Sequence, residues 1–173
     1  MKSLLKHMKT YHSYHTKAVT EKAHFIGVPL MLFAILLFFR WVHLAIPTFF
    51  DLPFSWILSG ILLLYYIKLS SKLALAFAPI LLLFNILASL FFAPYPTGRG
   101  FLVFLILFVT GLAFLLIGHL FEKKKPAFLD DFFLTLIAPL ALTAKVLFHF
   151  GFLKELKAEF DAILAEEDEE NKP

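Results

Sequence analysis

Two uninterrupted apolar runs, at 73–93 and 101–121, constrain the fold of this chain more than any other feature. Each matches the roughly 20 residues that a helix needs to cross a bilayer core, and neither contains Asp, Glu, Lys or Arg. In lipid every backbone N–H and C=O must find its partner within the segment, so a run of this length is helical. The stretch between them, APYPTGRG, carries Pro94, Pro96, Gly98 and Gly100 and cannot continue a helix. The composition agrees. Of 173 residues 60% are hydrophobic and 23 are phenylalanine, whereas a soluble domain is about half apolar. The fold class expected is an all-α integral membrane protein.

Three further apolar runs complete a bundle of about five helices. In the run 23–46, Pro29 should kink the helix or break it near Gly27. The run 54–67 is shorter than a bilayer core and spans it only if its polar flanks lie at the interfaces. The run 132–152 contains Pro139, Lys145 and His149, and is either a kinked span or a hairpin turning back at the proline. Residues 1–22 set Leu4, Leu5, Met8, Tyr11, His12 and His15 at three- and four-residue spacings, as in an amphipathic helix lying on a membrane surface. Thr20 followed by Glu21 offers an N-cap and a first-turn acid for the helix after it. The tail 154–173 is polar, and no repeat or linker divides what is expected to be one membrane domain over 1–173. Nothing near the start resembles a cleavable signal peptide, which fits a multi-pass protein of a bacterial inner membrane or the endoplasmic reticulum.

Lysine and arginine alternate between the connecting segments, with five before the first run, then one, two, one and three. The positive-inside tendency therefore puts the N-terminus and the 68–72 and 122–131 loops in the cytoplasm, ten charges against two. It also explains the net charge of +3 without a nucleic-acid partner. With this topology His12, His15, His24 and His119, together with Glu122, share one membrane depth, and His43 falls on the opposite side.

A lone histidine at an interface is ordinarily a headgroup anchor or a helix cap, but four converging at one depth favour a metal site. The chain has no cysteine, so imidazole and carboxylate must supply the ligands, which suits iron, manganese or zinc. His15 and His24 are nine residues apart and would point to opposite faces of a continuous helix, so they can meet only across a break; the cap at Thr20 would supply one. His119 and Glu122, three apart, share a helix face. Glu122 beside Lys123, Lys124 and Lys125 is either an interfacial ion-pairing residue or a ligand. The lysines are topology signals or contacts to anionic lipid, or they receive the carboxylate of an acidic lipid substrate. Tyr11 and Tyr14 are expected to anchor at the interface, and Asn85 to bridge two helices by a hydrogen bond. Lys145 and His149 must face protein or water, and His149 can join the site only if its run is a hairpin.

Several motifs resemble one family: Tyr14-His15, His24 with Gly27-Val28-Pro29, Gly118-His119 with Phe121-Glu122, Lys125-Pro126-Ala127, Ala138-Pro139 and Gly151-Phe152. The resemblance, from Tyr11 to about Leu156, is to small membrane proteins related to the fungal 2-hydroxy fatty acid dioxygenase. It implies an Fe(2+)-dependent enzyme that consumes dioxygen and shortens a 2-hydroxy fatty acid by one carbon. The implied metal ligands are His15, His24 and His119, with His12 as a fourth; Glu122 would orient a ligand or act as a base, and Lys125 would receive the substrate carboxylate. Membrane lipid would be both scaffold and substrate reservoir. The sequence departs from the family pattern in spacing, with His119 and Glu122 three rather than four residues apart, and in having Thr16 and Lys17 after His15 while His12 precedes it. The alternatives are a non-enzymatic transporter or assembly factor, and a zinc-dependent membrane hydrolase.

Overall fold

Breakers and polar interruptions cut the apolar sequence into seven helices among the described residues of the computed structural model, which are 2–14, 17–46, 50–122 and 132–170. In order they are α1 (Lys2–Ser13), α2 (Ala18–Arg40), the strands β1 (His43–Ile46) and β2 (Phe50–Pro53), α3 (Phe54–Leu69), α4 (Ser71–Phe91), α5 (Gly98–Glu122), α6 (Phe132–His149) and α7 (Lys154–Glu170). Three of them, α2, α4 and α5, are long and apolar enough to cross a membrane. The 16 residues of α3 extend about 24 Å, a little less than a bilayer core.

α2 is the element around which the others are arranged. It begins at Ala18, earlier than the expected Thr20 cap, with Lys17 as its N-cap residue, and it runs unbroken through Pro29. α1 ends at Ser13 and α2 begins at Ala18, so the two are separate helices, while His15 itself lies outside the described residues. Gly27 stays helical and serves instead in packing, because a Cβ there would come within 3.0 Å of the Gly111 carbonyl of α5. A Cβ on Gly111 would likewise sit 3.0 Å from the Met31 backbone nitrogen, so two backbones touch where small residues meet. With Thr20 opposite Gly118 and Trp41 beside Gly100, α2 and α5 are antiparallel over their whole length.

The first span, expected from Ala23 to about Phe39 with an extension through Ile46 left open, ends at Arg40, and an antiparallel hairpin follows, pairing His43 with Pro53 and Ile46 with Phe50. α3 then returns, and Ser70 caps α4 through its side chain, which accepts from the Leu73 N–H. Asn85 of α4 donates to Ser59 of α3 at 2.8 Å, the interhelical bond anticipated from a single amide in an apolar run. Directions alternate through α2, α3, α4 and α5, so the start of α2, the end of α3, the start of α4 and the end of α5 gather at one end of the bundle.

That end is covered by the remaining helices. The apolar stripe of α1 is present as expected, but Leu4, Leu5 and Met8 are 0–5% exposed, packed in one cluster with Leu140 and Ala144 of α6 and Leu156 and Phe160 of α7. The chain itself covers the face that was expected to lie on lipid. α6 does not cross the bundle. Near its start the Leu136 carbonyl accepts from the Tyr66 hydroxyl at the end of α3, and near its finish Lys145 pairs with Glu21 at the start of α2, 3.2 Å away. Both ends of α6 are thus tied to the same end of the bundle. A turn through Gly151, at φ +77, then bends the chain by 110° into α7.

Candidate functional site

The close approach of α2 and α5 is what assembles the site. Gly118 has no side chain where one would collide: a Cβ there would lie 3.1 Å from Cε1 and Nδ1 of His24 and 3.3 Å from Cγ2 of Thr20. The Thr20 hydroxyl donates to the Gly118 carbonyl at 3.0 Å, and fixes the height of one helix against the other. The two helix ends also cap each other. The Glu122 carboxylate accepts from the Lys17 backbone N–H at 2.6 Å, placing a negative charge at the positive end of α2. The Lys17 ammonium donates to the Phe121 carbonyl, also at 2.6 Å, and so meets the negative end of α5.

Held this way, His24 and His119 lie edge to face with ring centroids 5.1 Å apart and planes at 89°. They are 3% and 6% exposed, and Glu122 is 8% exposed. Nδ1–H of His24 donates to the Thr20 carbonyl at 2.9 Å, which selects the tautomer with its lone pair on Nε2. Tyr11 of α1 closes the site from the side, its ring 6.4 Å from that of His24. Burial, with a smaller contribution from the Glu21 charge, pushes its phenol above the usual range, so it remains neutral. Behind the imidazoles a cavity of about 130 Å³ continues along α2 past Val28, Leu32 and Ile35, bounded by Leu115 and Tyr66. From His24 to Ile35 the helix advances about 16 Å, so the polar site lies at the mouth of an apolar cleft.

Of the residues expected to form a site, His24, His119 and Glu122 come together here. His12 packs edge-on against Phe160 of α7 at 6.0 Å. His15 and Lys125 lie outside the described residues. His43 sits at the far end of the bundle, bonded to Asp51 at 2.6 Å and to the Pro94 carbonyl at 2.9 Å. His149 is exposed beside Phe150. Tyr11, expected as an interfacial anchor, is instead a buried wall of the site at 3% exposure. Its register with Leu4 and Met8 on the apolar stripe was the available signal. Thr20 and Gly118 were missed as a contact, since nothing in a single sequence pairs residues 98 apart.

Among the described residues no three His, Asp or Glu side chains form a complete metal-binding group. The pair is nevertheless suited to an ion of the iron or zinc class. With metal–nitrogen bonds of about 2 Å, two rings 5.1 Å apart can serve one ion, and the Thr20 carbonyl orients His24 as outer partners orient metal-binding imidazoles.

The fold and site define a class: a helical membrane bundle with a buried imidazole pair at the mouth of an apolar cleft. Within it, the chain belongs to the Mpo1-like family, whose model, described as "2-hydroxy-palmitic acid dioxygenase Mpo1-like", matches residues 1–150. The match ends at the turn before α7. No curated protein and no solved structure gives a significant match.

Proposed function

We propose that the protein is an iron(II)-dependent dioxygenase that converts a 2-hydroxy fatty acid into the acid one carbon shorter. The observation that carries this reading is the His24–His119 pair, buried at the polar mouth of an apolar cleft in a chain of the dioxygenase-named family. In the overall reaction the C1–C2 bond breaks, C1 leaves as carbon dioxide, the hydroxyl-bearing carbon becomes the new carboxyl, and dioxygen takes the electrons and ends in the products and water.

His24 and His119 would hold the iron together with His15, two residues before the anchored Lys17, and His12 is the candidate for a fourth position. Bound iron would supply the site at which dioxygen and a chelating 2-hydroxy acid meet. Glu122 steadies both helix ends, and its charge lies within electrostatic reach of both imidazoles. Beside the neutral Tyr11 the cleft behind the imidazoles is apolar, and the alkyl chain would lie along Val28, Leu32 and Leu115. Lys125 is the proposed receiver of the carboxylate. On the lysine distribution, the histidine end faces the cytoplasm.

The test is anaerobic iron(II) titration of the purified protein, followed by dioxygen uptake and mass spectrometry with 2-hydroxypalmitate. One equivalent of iron, dioxygen consumption and the one-carbon-shorter acid are expected, all lost in His24→Ala and His119→Ala. Stoichiometric iron binding unaffected by both substitutions would overturn the reading. A zinc hydrolase built from the same donors would turn over without dioxygen uptake.

A further inference from the structure

A second groove runs along the outside of the bundle, on the other side of the wall formed by Val28, Leu32 and Pro139, which also line the histidine cavity. Its apolar part, about 240 Å³, lies between α2, α4 and α6, among Phe25, Phe77, Ile80, Phe84 and Val146. Phe25, Ile80 and Val146 are 37%, 36% and 41% exposed, so this cleft opens sideways along its length. At the site end of the bundle Phe25 and Val146 also line a polar pocket that contains Glu21, Lys145, His149 and Lys157. The groove is thus amphipathic, with a charged head and an apolar stem joined by two shared residues.

Among the described residues the charges of the head are two lysines against one carboxylate. Lys145 already pairs with Glu21 at 3.2 Å, so Lys157, at the start of α7, is the excess cation facing the same pocket. From this arrangement we infer that the groove binds an acidic phospholipid of the surrounding bilayer, its phosphate at Lys145 and Lys157 and one acyl chain in the cleft. Basic pockets between apolar helices near a membrane surface take phosphate headgroups, because a phosphate offers several oxygens to two ammonium groups at once. The sideways opening fits a two-chain lipid, since the second chain can stay in the bilayer. The stem fills the outer side of Val28, Leu32 and Pro139, so the bound lipid also supports the wall of the histidine cavity. None of this depends on the dioxygenase reading or on iron.

The full chain is extracted from nanodiscs of mixed phosphatidylglycerol and phosphatidylcholine, and retained lipid is counted by native mass spectrometry without added metal. One phosphatidylglycerol per chain is expected, in preference to phosphatidylcholine. Lys157→Gln, at an exposed position, should weaken its retention about fivefold, as expected for one lysine near an anionic surface. Val146→Trp fills the cleft without changing the charges and should displace the lipid while leaving iron titration unaltered. Equal retention of both lipids, phosphatidylglycerol retained unchanged in both variants, or preferential capture of added palmitate would each overturn the assignment.

Discussion

Gly118 tests the site most sharply, because its role is to be absent as a side chain. A Cβ 3.1 Å from the His24 ring is tighter than ordinary contact, so that ring or α5 must give by a few tenths of an ångström. Gly118→Ala should therefore lower iron(II) affinity by about tenfold or more, on the order of the loss seen when partners that orient metal ligands are disturbed. Gly60→Ala, inside α3 where nothing lies within 4 Å of the added methyl, should leave iron binding unchanged and raise stability by up to about 1 kcal/mol. Glu122→Gln separates structure from chemistry at the next residue that matters. The amide can still accept from the Lys17 N–H but carries no charge to the positive end of α2, so about 1 kcal/mol of stability should be lost. In a chain of this size that is a fall of about 2–4 °C in thermal midpoint. At this scale the sequence was half legible. The residue types and the shared face of His119 and Glu122 were readable from composition and spacing, and His24 and His119 do meet at one end of the bundle. The contacts of Thr20 with Gly118 and of Lys17 with Glu122 were not, because each joins positions about a hundred residues apart.

Helices were easier to read than their directions. The cores of α4 and α5 follow from hydropathy, since each must satisfy its own backbone in lipid, and the proline-rich link between them was equally plain. α6 shows where that signal stops. Its side chains are as apolar as those of α5, yet Ile137, Leu140, Ala141 and Ala144 are buried in protein, whereas Leu102, Ile106 and Val109 of α5 are all more than 50% exposed. Hydropathy records that a face avoids water, and cannot say whether lipid or protein covers it. The same ambiguity placed α1 on the membrane surface, when its stripe is covered by α6 and α7. Between α3 and α4 the polar bridge of Asn85 to Ser59 should matter little. Asn85→Leu removes a bond to Ser59, but Ser59 still donates to the Ser55 carbonyl at 2.8 Å, and the buried Asn85 Oδ1 has no hydrogen-bond partner among the described residues. The expected cost is below about 1 kcal/mol, measured by thermal unfolding in detergent, in line with polar bridges inside membranes.

The whole molecule turns on whether α6 crosses the bundle, because that decides on which side α7 lies. The hydrogen bond from Tyr66 to Leu136 and the ion pair of Lys145 with Glu21 fasten the two ends of α6 to one end of the bundle. Lys154, the first residue of α7, must then lie on the same side as Lys72 at the start of α4, and Arg99 at the start of α5 on the opposite side. The chain contains no cysteine, so single substitutions can be labelled against a silent background. In sealed vesicles Lys72→Cys and Lys154→Cys should react with a membrane-impermeant maleimide from one side, and Arg99→Cys only from the other. If α6 were a span, Lys154→Cys would label with Arg99→Cys, and the placing of α1 and α7 over the histidine end would fail with it.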